Sequence, residues 1–292
     1  MKKTQMAAAL AGVLLSAQLM AQTVVTVNGT KIDSDELDAR AKFVQQQSQG
    51  QVKDSPELRQ FIANEVVVET VVVQEARRLK LDQSADYKTA EADARRQARD
   101  RGLDKQPDFQ ANWKRFLNQV LMDVYAQHIV QQNPVTDEQL QERYNAIKTR
   151  YDNTDEVQIG EIITDKAEQA QAAIRELAAK KSFADVARKY SIDPEVKAGQ
   201  SAISDFMALV DLKEARPKIF AAVQNLKAGE FTRQALNEDN KAFVVFYMST
   251  RRKIAVEPFE KVREGLLNNM RQERVQAAVG ALMQKANIVP AQ

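Results

Sequence analysis

The segment from Glu156 to Arg252 constrains the fold most, because it orders strand and helix patterns in a recognisable succession. Glu156 to Ile163 alternates as a strand does, and residues 167–179 form a helical pattern. A second helix begins after Lys181 and enters a loop at Asp193, and a final strand covers residues 242–248. Between this loop and the last strand lie Ala198-Gly199, Ile219-Phe220 and Ala228-Gly229-Glu230. The segment therefore begins and ends with a strand, with helices between them.

In this order the segment resembles the parvulin family of peptidyl-prolyl isomerases, over about a third of the chain. The first strand of that family ends in His-Ile-Leu, whereas Glu161-Ile162-Ile163 fills the slot here. The slot of the family's second histidine falls near Ala242 or Phe243. The resemblance therefore implies an isomerase scaffold, a small antiparallel sheet surrounded by helices, in which the usual polar centre of two histidines is missing.

The resemblance also implies where a site would lie. Asp193 matches the family's Cys or Asp position after Tyr190-Ser191, and Glu161 stands in for the first histidine, so both are catalytic candidates. If the two carboxylates face each other, repulsion between them should raise the pKa of at least one. Phe220 matches the pocket phenylalanine that precedes Gly-Glu. The candidates for a second apolar wall are Phe206, Met207 and Leu212.

Each candidate also has a purely structural interpretation. Phe220 near a glycine turn is typical of a core residue. Asp193 precedes Pro194, and Asp before proline commonly initiates a turn. Glu161 on an alternating strand is typical of a solvent-facing residue. His128, the single histidine, is in line with an apolar helical stripe, so packing is favoured over ligand binding.

The N-terminal residues predict export. Lys2 and Lys3 precede an apolar run from Met6 to Met20 that ends in Ala21, the pattern of a secretory signal peptide covering residues 1–21. The run is too short to span a bilayer comfortably, and no cysteine follows it, so we expect a periplasmic protein without a membrane anchor.

Composition limits the chemistry. Removal of residues 1–21 leaves 42 − 2 = 40 basic against 40 acidic residues, which argues against nucleic acid or an anionic membrane as partner. The absence of cysteine excludes thiol catalysis, and the presence of a single histidine argues against a histidine-based metal site. We expect neither metal nor cofactor.

Helical patterns dominate the first half. Val24 to Val27 predicts a strand that turns at Asn28-Gly29, and Asp33 with Glu36 predicts a helix cap. Ser55-Pro56 begins a helix that continues to about Leu79. Its valine run, residues 66–73, would also suit a strand, although the length favours a helix that is buried all round. The polar segment 45–51 is predicted as a loop.

A discontinuous domain follows from the remaining helices. A helix after Pro107 carries an apolar stripe that includes Trp113, Thr136 with Gln139 caps the next helix, and Pro258 opens the last. This last helix lacks a core of its own, so we expect it to pack on the N-terminal helices. The predicted division is a helical chaperone domain, residues 22–150 and 254–292, around a parvulin-like domain, residues 151–253. This layout resembles foldases of the SurA and PrsA kind.

Three functions fit these observations. The first is a chaperone that binds unfolded exported or outer-membrane proteins through apolar contacts, with an isomerase domain of reduced competence. The second is an active isomerase that accelerates X-Pro isomerisation at proline-containing clients. The third, an adhesive surface protein, would require an anchor or repeats that the sequence does not show. Relatives exchange terminal elements between protomers, so the resemblance also implies a homodimer.

Overall fold

In a computed structural model that describes residues 22–238 and 241–291, the chain divides into two units. The first contains the described residues up to Pro134 together with those from Met270 onward, and the second runs from Val135 to Asn269. The fold is α+β, as the sequence predicts, with many helices and two small antiparallel sheets. The expected signal peptide, residues 1–21, lies outside the described residues.

The first unit opens with a β-hairpin. Strands β1 (Thr23–Val27) and β2 (Thr30–Asp33) are joined by Asn28 and Gly29, which both have positive φ, at 47° and 85°. Two positive φ angles define the tight turn that Asn-Gly favours, so the predicted strand and turn are confirmed. A strand that the sequence analysis missed, β7 (Ile288–Pro290), pairs antiparallel with β1 on its other side.

Two predictions about helix α1 (Ser34–Gln47) are wrong. Asp33 occupies its N-cap position, but the Asp33 carboxylate accepts a hydrogen bond from Thr23 Oγ1 at 2.9 Å and does not cap the helix. The helix also extends to Gln47, so the predicted loop 45–51 is wrong in its first part. Glutamine is a good helix former, and the helix ends only where Gln49 and Gly50 adopt positive φ.

Helix α2 (Pro56–Arg78) is the centre of the first unit. Ser55 Oγ accepts a hydrogen bond from the Leu58 N–H at 3.2 Å, and Pro56 occupies the first turn, so the predicted helix start is confirmed. The valine run is helical, and the strand alternative is wrong. Residues on successive faces of this run are buried: Val66, Val67, Val71, Val72 and Val73.

Further helices pack against α2 in the first unit. Helices α3 (Ala85–Asp100) and α4 (Phe109–Gln132) pack with α2, and Leu121 and Tyr125 of α4 are buried beside Val72. The C-terminal part of helix α11 (Phe259–Lys285) also packs here. Its side chains in these clusters are Val279, Leu282 and Met283.

The second unit begins with helix α5 (Asp137–Tyr151), which leads into the sheet. Thr136 Oγ1 accepts from the Gln139 N–H at 3.3 Å and the Gln139 side chain accepts from the Thr136 N–H at 3.2 Å, so the predicted capping box is confirmed. Phe259, at the start of α11, meets Tyr144 edge-on at 5.4 Å.

The sheet of the second unit has the order β4-β3-β6-β5. Its long strands β3 (Asp155–Thr164) and β6 (Ala242–Lys253) pair antiparallel, and its edges are β4 (Met207–Ala208) and β5 (Leu236–Glu238). The helices of this unit after α5 are α6 (Ala167–Ala178), α7 (Phe183–Tyr190), α8 (Pro194–Lys197), α9 (Leu209–Ala215) and α10 (Pro217–Val223).

Helices cover both faces of this sheet. On one face Ile162 and Val245 pack with Val186 and other residues of α6 and α7. On the other face Ile159 and Phe246 pack with α9 and α10. Because side chains of a strand alternate between faces, the two clusters divide β3 and β6 residue by residue.

Candidate functional site

The face of the sheet beneath α9 and α10 carries the candidate site. Glu161 lies opposite Phe246 in the β3–β6 ladder. Ile159 and Ile163, two residues to either side of Glu161, belong to the apolar cluster of this face. Alternation therefore places the half-buried Glu161 on the same face, between two isoleucines. A carboxylate interrupts an otherwise apolar surface here.

Two of the predicted wall residues border this face with part of their surface free. Met207 on β4 and Phe220 on α10 are half-buried and pack against the apolar cluster. Leu212 on α9 is only 6% exposed, which leaves it little surface for a ligand. Phe220 is therefore both a core residue and a candidate wall residue, because it packs on the apolar cluster and part of it remains accessible.

Cations cover both aromatic rings of the proposed wall. Phe206, just before β4, is 37% exposed, and the Arg252 guanidinium carbon lies 3.9 Å from the centre of its ring. The Lys213 Nζ atom lies 5.9 Å from the ring centre of Phe220. Both are distances at which a cation is attracted to an aromatic face. These cations were not predicted from the sequence, because Lys213 and Phe220 lie on the separate helices α9 and α10.

Asp193 stabilises the local fold of the chain. Its carboxylate accepts a hydrogen bond from the Glu195 N–H at 2.9 Å and so caps the short helix α8, which Pro194 opens. The preceding Ile192 N–H donates to the Ile163 carbonyl at 2.7 Å, which attaches this loop to β3. The geometry thus gives Asp193 the turn-forming role that its position before proline suggests.

The second histidine slot contains no polar side chain. Phe243 lies opposite Thr164 and packs in the cluster under α6 and α7, on the face away from Glu161. Ala242 alternates with Phe243 and therefore shares the Glu161 face. The single histidine, His128, lies on α4 in the first unit. Among the residues that the structure describes, this face thus carries apolar side chains and the Glu161 carboxylate but no imidazole.

A second candidate surface lies on the first unit. Phe43, Phe61 and Phe116 are 48%, 59% and 41% exposed, and they line one cavity of about 520 Å³. Phe116 also borders a neighbouring cavity of about 280 Å³ with Trp113, whose ring stacks on Phe116 at 5.4 Å. We call Phe43, Phe61 and Phe116 the aromatic rim. Such large apolar side chains in one exposed group are typical of interaction surfaces.

Within residues 22–238 and 241–291, no helix has the length and apolar character needed to cross a membrane. The same residues contain no group of three His, Asp or Glu side chains arranged to hold a metal ion.

The second unit is similar in sequence to known proteins. A sequence profile of the PPIC-type PPIASE domain matches residues 135–264. A probable parvulin-type peptidyl-prolyl cis-trans isomerase of Bordetella bronchiseptica is 31% identical over 195 residues, which are 66% of this chain and 65% of that protein. The chain therefore spans slightly less than two thirds of that relative.

More distant relatives cover more of the chain. The foldase protein PrsA of Clostridium botulinum is 22% identical over 284 residues, 88% of this chain and 83% of that protein. Among solved structures, a chain from the work on the SurA-like chaperones PEB4 and Cj1289 of Campylobacter jejuni is 19% identical, with a TM-score of 0.35. It covers 90% of this chain, and 96% of its own length is matched. Residues 135–264 of this chain thus match the PPIC-type domain, and the chain is similar to parvulin-type peptidyl-prolyl cis-trans isomerases.

Proposed function

We propose that this protein is a periplasmic foldase whose first unit binds unfolded polypeptide and whose PPIC-type domain binds proline-containing segments with reduced isomerase activity. The observation that carries the chaperone function is the aromatic rim, where three phenylalanines from α1, α2 and α4 surround one cavity. Burial of such side chains against apolar segments of a client is favourable by roughly 25 cal/mol per Å² of apolar surface. This mode of binding has little specificity for the amino-acid sequence of the client.

Reduced catalysis follows from the chemistry of the candidate site. An X-Pro bond takes tens of seconds or more to isomerise unaided, and a pocket accelerates it by gripping the ring, excluding water and favouring the twisted bond. Met207 and Phe220 supply an apolar wall, and Glu161 supplies the polar group. A carboxylate accepts hydrogen bonds but, when ionised, donates none. We therefore expect weaker stabilisation of the twisted bond than an imidazole pair would give.

The alternative is a fully active isomerase. The observation that favours it is the position of Glu161 on the same face as the proposed wall. A protonated Glu161 could donate a hydrogen bond and rebuild part of the missing polar centre. Isomerisation of a short proline peptide, followed with wild type and Glu161→Ala, decides the point. Equal rates for the two proteins would remove Glu161 from the mechanism.

The chaperone function is tested by suppression of aggregation of an unfolded client. Phe61→Ser should lower this suppression severalfold, because Phe61 is the most exposed member of the aromatic rim. Ile192→Ser is the matched control, since Ile192 is 42% exposed but belongs to the second unit. If Phe61→Ser suppressed aggregation as well as the control, the aromatic rim would not be the client surface.

Location and assembly are part of the proposal. The lysines and apolar run of residues 1–21 support export to the periplasm. Recovery of the mature chain from a periplasmic fraction, with an N-terminus near Gln22, is the expected result, and recovery with the cytoplasmic proteins would contradict it. A homodimer is proposed from the resemblance, and light scattering of the purified chain tests it.

A further inference from the structure

Charged side chains line the cavity of the aromatic rim, and some of them neutralise one another. Glu69 on α2 pairs with Arg40 at 2.8 Å and accepts a hydrogen bond from the Asn118 amide at 2.7 Å. Arg40 also pairs with Glu36 at 3.0 Å. The charge of Arg40 is therefore balanced by its two carboxylate partners.

Glu65 keeps an unpaired charge at the same cavity. It is exposed, lines the cavity and follows Phe61 by four residues on α2. Among the residues that the structure describes, no Lys, Arg or His nitrogen lies within 4.0 Å of the Glu65 carboxylate. Side chains four residues apart on a helix are neighbours, so the Phe61 ring and an unneutralised carboxylate stand side by side.

The rings of the aromatic rim differ in their access to a further cation. The Arg115 guanidinium carbon lies 5.5 Å from the centre of the Phe43 ring, and Arg115 also donates to the Asn112 side-chain oxygen. Within the described part of the chain, no cation lies over the ring of Phe61, which is 59% exposed. An aromatic face attracts a cation within about 6 Å of its centre. The Phe61 face is therefore available to a cation of a bound segment.

Arg115 offers a competing attraction for acidic side chains. Its guanidinium is already engaged by the Phe43 ring and the Asn112 amide. In the described residues, by contrast, Glu65 accepts no hydrogen bond and the Phe61 ring carries no cation. A basic residue of a client should therefore gain more at this rim than an acidic residue does.

We propose that Phe61 and Glu65 together bind a lysine or arginine of the client, so that the first unit prefers apolar segments that contain a basic residue. This inference rests on the proposed function of the first unit, namely that client polypeptide binds at the aromatic rim. The methylene stem of the basic side chain packs on the Phe61 ring while its charged end meets the Glu65 carboxylate. Exposed ion pairs and cation–π contacts are weak, so the expected preference is modest, about two- to tenfold in dissociation constant.

The experiment compares peptides that differ in one side chain. Blocked peptides Ser-Leu-Ala-X-Ala-Leu-Ser, with X as Lys, Gln or Glu, are titrated into the full chain and followed by amide chemical shifts of the first unit. At low salt the expected order of affinity is Lys, then Gln, then Glu. The differences should shrink as the ionic strength rises, because exposed charges are screened.

Variants assign the preference to one carboxylate. Glu65→Gln should lose most of the preference for the Lys peptide over the Gln peptide, and Glu65→Lys should reverse the order so that the Glu peptide binds best. Glu142→Gln is the matched control, since Glu142 is an exposed glutamate on α5 of the second unit, and it should keep the wild-type order.

The possible failures are distinguishable. If the wild type bound all three peptides with the same affinity, or bound the Glu peptide best, the inferred selectivity would be wrong while peptide binding by the first unit stood. A Glu65→Gln variant that kept the full Lys preference would also overturn the role of Glu65. If none of the peptides shifted any resonance of the first unit, both the selectivity and the proposed function of the aromatic rim would be lost.

Discussion

Gly160 shows how a single residue determines the packing of the second unit. A Cβ atom at this position would overlap the ring of Phe183, which lies over Gly160 and stacks on Tyr247 at 4.6 Å. Tyr247 is also the partner of Gly160 across the β3–β6 ladder. The absence of a side chain at Gly160 therefore lets two aromatic rings close one face of the sheet.

Gly160→Ala should destabilise the protein. Overpacking of a filled core typically costs about 1–3 kcal/mol, so the free energy of unfolding should fall by that amount. Gly280→Ala is the control, because nothing lies within 4 Å of an added Cβ in α11 and alanine favours a helix. Denaturant unfolding of both variants tests this, and a Gly160→Ala variant as stable as the control would contradict the packing described.

Asp155 links pH to the stability of the same unit. Its carboxylate is paired with Lys253 at 2.9 Å and with Arg251 at 2.5 Å, and these bonds lower its pKa below the usual value. Arg251 also donates to the carbonyls of Gln224 and Leu226, which holds the chain after α10. The ionised carboxylate thus supports a network of strand and loop.

Asp155→Asn should therefore lower stability in a pH-dependent way. Because the folded pKa is depressed, the stabilisation is complete above the unfolded pKa of about 3.9 and is lost as the pH falls through the folded value. At pH 7 the variant should be less stable by about 1 kcal/mol. The difference in unfolding midpoint between wild type and variant should be smaller at pH 3 than at pH 7. A constant difference would exclude the charge as the cause.

At the scale of elements, the helix starts were the most predictable features. Ser55-Pro56 and the Thr136–Gln139 box each combine residue types that satisfy free backbone N–H groups, and both helices begin there. The Ser55-Pro56 start and the length of α2 also indicated that the valine run is helical, although its β-branched residues alone suit a strand. The predicted helix cap at Asp33 was wrong because Thr23, on strand β1, donates a hydrogen bond to the Asp33 carboxylate.

Elements that depend on distant partners were not predictable. Strand β7 has three residues and no periodicity, and it exists because β1, from the other end of the chain, provides its hydrogen bonds. The candidate site shows the same limit. The resemblance indicated Glu161 and Phe220, but the cations over Phe206 and Phe220 depend on how β6 and α9 approach the wall.

The capping box of α5 gives a prediction at this scale. Thr136→Ala removes the acceptor of the Gln139 N–H and should lower the free energy of unfolding by about 1 kcal/mol. Thr149→Ala, an exposed position near the end of the same helix, should be neutral or slightly stabilising. Thermal unfolding of the two variants measures the difference. Equal melting temperatures would show that the cap contributes little.

At the scale of the whole molecule, the candidate surfaces belong to different units. The aromatic rim lies in the first unit, and the Glu161 face lies in the second. Substitutions in one surface can therefore be made without changing any side chain of the other. The division into domains at residues 150 and 254 stays a prediction, as does the signal peptide at residues 1–21.

The central claim is that binding of unfolded polypeptide matters more than isomerisation of proline. The most direct test measures suppression of client aggregation by the full chain carrying Phe43→Ser, Phe61→Ser and Phe116→Ser together, beside the Glu161→Ala variant. We predict that the triple variant loses the suppression while Glu161→Ala retains it. Full suppression by the triple variant, or its loss in Glu161→Ala, would contradict the account.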